Sequence, residues 1–212
     1  LVLISCYKDY LQKNEKYDHQ IFDYKILQTD QNQIIYKNII SKKIVFCEGA
    51  SIKMNPFFPQ KEINKNIPLV IPNKGEYLII KSPELQLKSM LKSSLFIIPL
   101  GSDMYKIGAT YDREDHTIKI TDNAKKEMIT KLKEILNCNF EVTDQVAGIR
   151  PTTRDRRPFL GSLKDNINIV FYNGLGTRGI TSAPSLAKTL FDYTNKGIEI
   201  PKEMNIKRTY NW

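Results

Sequence analysis

Histidine is nearly missing from this sequence of 212 residues. His19 and His116 stand far apart with no ligand-like spacing. That argues against a histidine-based triad or a zinc site. Cysteine is also scarce: Cys6, Cys47 and Cys138 are odd in number, widely spaced and without a C-x-x-C pair. No disulfide framework or metal cluster is indicated, and reduced thiols in a cytoplasm are expected. No apolar stretch reaches the roughly 18 residues that a membrane span needs. No block of about five or six like charges occurs, so no electrostatic tail is expected. No G-x-G-x-x-G occurs before residue 174. The glycine turn that opens a dinucleotide-binding unit is therefore not found ahead of residue 174.

What is present is a core-forming composition, 41% hydrophobic, with a net charge of +9. The lysines are scattered: Lys37, Lys42, Lys43, Lys53, Lys61, Lys65 and Lys74 fall in different segments. The sequence is rich in Lys, Ile and Asn, as an AT-rich coding bias would make it. The basic balance therefore does not imply a nucleic-acid partner, though a weak attraction to anionic partners stays open. Leu1-Val-Leu-Ile-Ser-Cys6 is apolar but short and lacks a basic lead. It reads as an internal segment and not as a signal peptide. Nothing in the pattern specifies an oligomeric state.

Leu3, Tyr7, Tyr10 and Leu11 recur at helical spacing and predict a helix over residues 1 to 14. Alternation at Phe22, Tyr24 and Ile26, and at Ile34 and Tyr36, predicts short strands. Residues 43 to 50 read as a buried strand ending at a glycine. Pro56, Pro59, Pro68 and Pro72 make residues 51 to 75 a loop or crossover. Strands are predicted at residues 77–80, 95–98 and 104–109, with hairpin-turn chemistry at residues 100–103. Thr121 or Asp122 can cap a helix from Asn123 to Leu136, whose apolar face carries Met128, Ile129, Leu132, Ile135 and Leu136. Ser182 can cap a last helix with the stripe Leu186, Ala187, Leu190 and Phe191, ended by Gly197.

Two blocks stand out. One is Gly148-Ile-Arg-Pro-Thr-Thr-Arg-Asp-Arg-Arg-Pro-Phe-Leu-Gly161. The other is Asn173-Gly-Leu-Gly-Thr-Arg-Gly-Ile-Thr-Ser-Ala-Pro184. Between them Ile167 to Tyr172 alternates like a buried strand. Alone, the glycine turn of the second block reads as a tight strand-to-helix loop. Together and in this order, the blocks resemble the C-terminal flavin-binding signature of the FAD-dependent amino-acid oxidase family, which includes the D-amino-acid, glycine and sarcosine oxidases. The resemblance covers most of residues 43 to 200. It implies a mixed α+β and α/β fold, with an antiparallel-sheet substrate domain inserted in a partial Rossmann-like FAD-binding domain. The expected division is residues 1–50, a remnant of the FAD-binding domain; 51–145, sheet plus helix; and 146–212, the return to the FAD-binding domain. Lys74-Gly75-Glu76 also fits, since the family has a similar glycine where the chain enters that sheet.

The resemblance implies FAD as cofactor, contacted by Gly49, Ala50, Gly148, Pro151, Gly174, Leu175, Gly176, Thr177, Gly179 and Ile180. For Gly49 an ordinary turn glycine is the alternative. Backbone N–H groups at Gly174, Gly176 and Gly179 are expected to approach the flavin ring, backed by the positive end of the following helix. Arg150 is the expected clamp on a substrate carboxylate, because its fork matches a carboxylate in two parallel hydrogen bonds; a structural arginine is the alternative. Tyr105 and Arg178 are further substrate candidates, and Tyr111 joins Tyr105 as a pocket wall, with plain core packing on half-buried strands as the alternative for both tyrosines. Some relatives carry their arginine one position earlier, where this sequence has Thr177, so the role of Arg178 stays open. Asp155 is expected to accept N–H groups within its own loop, and Gly161 to allow close approach beneath the cofactor. No side chain is assigned to acid–base catalysis and none to a metal. The implied activity is oxidation of a C–N bond in an amino acid or secondary amine, a small-molecule substrate. A tRNA-modifying oxidoreductase domain and a non-catalytic remnant are the alternatives.

Overall fold

The structure, a computed structural model, describes residues 2–30, 32–62 and 67–209. In chain order the elements are α1 (Val2–Lys13), β1 (Gln28–Thr29), β2 (Ile34–Tyr36), β3 (Ile39–Ser41), β4 (Ile44–Phe46), β5 (Ile71–Lys81), β6 (Leu91–Lys92), β7 (Phe96–Gly101), β8 (Met104–Gly108), α2 (Asp122–Ile135), β9 (Glu141–Thr152), β10 (Phe159–Ser162), β11 (Ile169–Asn173) and α3 (Gly179–Lys196). Short 3-10 turns lie at Tyr24–Ile26, Gly49–Met54 and Ile206–Thr209. The fold is mixed α and β, with a five-stranded antiparallel sheet in the order β6-β7-β8-β5-β9.

The large sheet packs one face on α2. Leu78 and Ile80 of β5, Ile97 of β7, and Tyr105 and Ile107 of β8 meet Ala124, Met128 and Leu132 of the helix. Those helical positions recur every four residues and so form one stripe. Thr121 caps α2: its hydroxyl accepts from the Ala124 N–H at 3.3 Å. Burying Met128 and Leu132 completely contributes about 1.5–3 kcal/mol each.

A second sheet, β10-β11-β4, pairs β11 with β4 in parallel and with β10 antiparallel. Leu186 and Leu190 of α3 cover one face through Leu160 and Val170. Phe46, Phe159 and Phe171 point to the other, where Phe58, Ile52, Ile34 and Tyr36 complete the core. Parallel pairing brings the carboxyl ends of β4 and β11 side by side, the place where open α/β sheets bind ligands. The helix α1 forms as its pattern predicts, though its apolar residues Leu3, Ile4, Tyr7 and Tyr10 are all exposed. The Leu1 end of that prediction lies outside the described residues.

Three expectations are corrected. Phe22, Tyr24 and Ile26 do not form a strand. The Asp23 carboxylate accepts from the Lys25 N–H at 2.9 Å and closes a 3-10 turn instead. The proline-rich crossover ends sooner than expected, because β5 begins at Ile71 and pairs Pro72 with Pro151 of β9. Neither proline has an N–H to give to the ladder there. Finally, α3 begins at Gly179 and not at Ser182. The Ser182 hydroxyl donates to the Arg178 carbonyl at 2.9 Å from inside the first turn. Gly197 ends α3 as expected, in a left-handed conformation at φ +68.

Candidate functional site

Two loops converge at the ends of β4 and β11. Gly49 follows β4, and Gly174 to Arg178 links β11 to α3. Gly49, Gly174 and Gly176 have φ of +57, +74 and +54, which L side chains rarely adopt. Buried Asn173 ties the loops together. Its amide donates to the Gly49 carbonyl at 3.0 Å, and its side-chain oxygen accepts from the Gly174 N–H at 2.6 Å. The end of β9 joins them, since the Gly176 N–H donates to the Pro151 carbonyl at 3.0 Å. A Cβ built on Gly49 would lie 4.0 Å from Pro151 Cγ. Gly49, Ala50, Pro151, Gly174, Leu175, Gly176, Thr177, Gly179 and Ile180 are thus gathered in one place.

The amides divide differently from expectation. Those of Gly174, Gly176 and Arg178 are spent on Asn173, Pro151 and the Leu175 carbonyl. Among the described residues, the Leu175 and Thr177 amides have no acceptor. They and the first N–H groups of α3 are the donors left for a ligand. Glycines 174 and 176 therefore shape the loop, while their neighbours present the donors. Gly161 is also corrected. At φ +105, a Cβ there would meet Ile200 Cδ1 at 2.9 Å, so this glycine accommodates the C-terminal segment and not a cofactor.

The large sheet's face opposite α2 forms a floor beside these loops. Pleating puts Asn73, Gly75 and Tyr77 of β5 on it, with Gly148 and Arg150 of β9 opposite them (Asn73↔Arg150, Gly75↔Gly148). A Cβ placed on Gly75 would overlap Arg150 Nη1, Nη2 and Cζ, whereas the space over Gly148 is open. The Arg150 guanidinium thus lies flat over Gly75. Its Nη1 donates to Asn73 Oδ1 at 3.4 Å and to the Thr110 carbonyl at 3.3 Å, and the group stacks 4.6 Å from the Tyr111 ring. Burial draws the guanidinium below its ordinary pKa, partly opposed by Tyr111. Among the described residues no carboxylate pairs with it. Thr152 continues the row, its methyl 3.9 Å from a Cβ built on Gly176. Floor and glycine loop are therefore adjacent.

Behind the floor, a buried polar network holds the segment that carries Thr110 and Tyr111. Lys74, 1% exposed, reaches Asp115 at 2.5 Å, Glu76 at 3.4 Å and the Lys119 carbonyl. Burial alone would lower the Lys74 pKa, but Asp115 and Glu76 outweigh it and hold the ammonium above its usual value. Burial would likewise raise Glu76, yet hydrogen bonds from the Thr121 N–H and hydroxyl and from Gln145 hold it lower. Asp115 is drawn down to about 2, chiefly by Lys74.

Tyr105 leaves the candidate set. It shares the pleat of Ile107, is 3% exposed and packs in the core on α2. Lys106 takes its place on the floor. Tyr111 lies under the Arg150 guanidinium. Arg178 is exposed, caps α3 without a side-chain bond, and does not join Arg150. Asp155 accepts from the Arg157 N–H at 3.1 Å and also pairs with Arg208 at 3.0 Å. Sequence reasoning missed Asn73, Asn173, Thr110 and Lys106. Only Asn173 had a signal, its place directly before a glycine turn. No group of three or more His, Cys, Asp or Glu that could hold a metal occurs among the described residues, and none of their helices is long and apolar enough to cross a membrane.

The sequence is 27% identical over 125 residues to the tRNA 5-methylaminomethyl-2-thiouridine biosynthesis bifunctional protein MnmC of Idiomarina loihiensis, covering 56% of this chain and 20% of that protein. It is 29% identical over 197 residues to the D-amino acid dehydrogenase of Helicobacter pylori, covering 85% and 44%. The fold resembles that of iminodiacetate oxidase from Chelativorans sp. BNC1, with a TM-score of 0.67 at 19% identity over 84% of this chain and 50% of that one. The chain spans less than half the length of these curated relatives. The DAO family model, described as FAD dependent oxidoreductase, matches residues 16–193. With the glycine loop, the arginine on the floor and the order of the two sheets all inside that span, the chain belongs to the family of FAD-dependent oxidoreductases.

Proposed function

We propose that this chain supplies the flavin-ring side and the substrate floor of an FAD-dependent oxidoreductase that oxidises a C–N bond of an amino acid or secondary amine. The observation that carries the reading is Arg150, a half-buried guanidinium on an open floor beside the glycine loop, with no carboxylate partner among the described residues. The residues fit a flat, electron-accepting ring. Left-handed glycines bring backbone close, and the Leu175 and Thr177 amides offer donors to its polar edge. Bound FAD would supply the hydride acceptor. The chain's own contribution is orientation. Arg150 holds the substrate carboxylate in two parallel hydrogen bonds, Asn73 and Thr110 fix the fork, and Tyr111 closes one side. In this reading, residues 51–145 form the substrate domain between two parts of the flavin domain, 1–50 and 146–212. The widely spaced cysteines favour a reducing cytoplasm.

A second reading, oxidation of a modified tRNA base, draws on the MnmC relative. The scattered lysines favour a small-molecule substrate instead. The test uses full-length, flavin-loaded protein and stopped-flow flavin reduction across amino acids and their decarboxylated amines. Arg150→Lys should weaken amino-acid capture about tenfold to a hundredfold, the worth of one charge-assisted hydrogen bond of about 1.5–3 kcal/mol, while retaining flavin. Amines that reduce the wild-type flavin as well as amino acids do would refute the carboxylate clamp.

A further inference from the structure

Arg150 is not the only cation on the floor. Lys106 of β8 shares the pleat opposite Tyr105 and Ile107, and so faces the same side as Tyr77 and Arg150. Its ammonium lies 3.7 Å from the centroid of the Tyr77 ring. Tyr77 in turn packs over Gly108, where a Cβ would meet Tyr77 Cβ at 2.9 Å. Along β5 the order is therefore Lys106 on Tyr77, then Gly75 beneath Arg150, then Tyr111 on the far side of Arg150. Each cation rests on a tyrosine ring, an arrangement that holds a charge in place without neutralising it. Among the described residues neither cation has a carboxylate partner. By register, Asp144 occupies the same row as Lys106 on the far side of β5, but its Oδ1 accepts from the Gln145 N–H. Burial lowers the Lys106 pKa, with no counter-charge to restore it.

Given the proposed reading of this face as the substrate floor, on which the inference rests, we infer that Lys106 is a second anion-binding residue and that the substrate is an amino dicarboxylate. The positions of Tyr77 and Gly75 are two residues apart on one strand, roughly 7 Å. That anchor spacing is on the scale of a short acid with a carboxylate at each end, each carboxylate making contacts of about 2.7–2.9 Å. A mono-acid would engage Arg150 and leave Lys106, partly buried and without a counter-charge among the described residues, unpaired. A dicarboxylate satisfies both.

The test uses the full-length, flavin-loaded protein. Anaerobic flavin reduction by both enantiomers of aspartate and glutamate is compared with reduction by asparagine and glutamine, which match them in shape but lack the second charge. Lys106→Met should lower kcat/KM for the dicarboxylates about tenfold or more and leave the amides within about twofold. A binding readout runs beside it: flavin absorbance titrated with succinate and with butyrate, neither of which can be oxidised at a C–N bond. Succinate should bind more tightly, Lys106→Met should remove that preference, and Lys106→Arg should retain it. Should Lys106→Met fail to hold flavin, the arginine variant decides, and loss of the succinate preference there overturns the inference. An equal fall across both substrate classes, no fall in either, or an effect confined to reoxidation of the flavin by oxygen would also overturn it. If no amino acid reduces the wild-type flavin while simple amines do, the underlying amino-acid reading fails first and takes this inference with it.

Discussion

Gly75→Ala tests the site without touching a charged residue. The added methyl would occupy the space now held by the Arg150 guanidinium, overlapping Nη1, Nη2 and Cζ. Non-bonded heavy atoms need about 3.5 Å, so the fork must retreat by more than ~1 Å. The backbone has no reason to resist. Gly75 does not have positive φ, and replacing glycine by alanine in an accessible conformation stabilises a protein by about 0.4–1 kcal/mol through the unfolded state. The arginine side chain is long and can swing aside. The melting temperature should therefore change little, while the clamp is lost. A misplacement of about 1 Å at a reacting geometry costs on the order of a hundredfold in rate, and losing one charge-assisted hydrogen bond of about 1.5–3 kcal/mol costs tenfold or more in affinity. The assay is flavin reduction in full-length protein, with flavin content and melting temperature measured on the same sample. The expected result is intact flavin, near-normal melting and at least about tenfold weaker amino-acid capture. Wild-type capture in Gly75→Ala would refute the reasoning, because the position over Gly75 would then not be the working position of Arg150.

Two further predictions concern the loop and the network behind the floor. Gly176→Val, at φ +54, places a β-branched side chain in a left-handed conformation that costs about 1–2 kcal/mol and crowds the loop beside Thr152; flavin content per protein, read from absorbance, should fall sharply, and unchanged content would mark the loop as a turn only. Asp115→Asn removes one of the two carboxylate partners of Lys74 among the described residues. Because the folded Asp115 pKa is depressed to about 2, its contribution is present above the unfolded value of about 3.9 and lost as pH falls through the folded one. The wild type should therefore be more stable than the variant at neutral pH, with the difference shrinking between about pH 4 and pH 2; urea denaturation at several pH values measures this, and a pH-independent difference would contradict it.

The periodic elements could be read because their causes are local. Met128 and Leu132 repeat at helical spacing, Thr121 precedes them as a cap, and Gly197 stands where a left-handed exit is needed. The glycine loop was legible for the same reason, since a φ near +54 to +74 restricts residue type whatever surrounds it. The early start of β5 was not legible. Pro68 and Pro72 are loop signals by themselves, and only pairing with β9, where Pro151 faces Pro72, makes the segment a strand.

The sequence by itself determined the family, the helix α2 with its cap, and Arg150 as the residue to watch. The helix and its cap follow from residue type and spacing along the chain, and the family and Arg150 from the resemblance of its two motif blocks to that family's signature. Only the tertiary structure decided which way each strand residue faces. Pleating is a period of two, so one step separates Tyr105 from Lys106, and packing of α2 on one face decides that the tyrosine side is core and the lysine side is the floor. It also decided what Gly75 is for, since the group that fills the space above it comes from Arg150 on the neighbouring strand. Asn173 and Thr110 owe their roles to the same cause: each reaches a partner distant in sequence, Gly49 in one case and Arg150 in the other, and such contacts exist only once the sheets have formed.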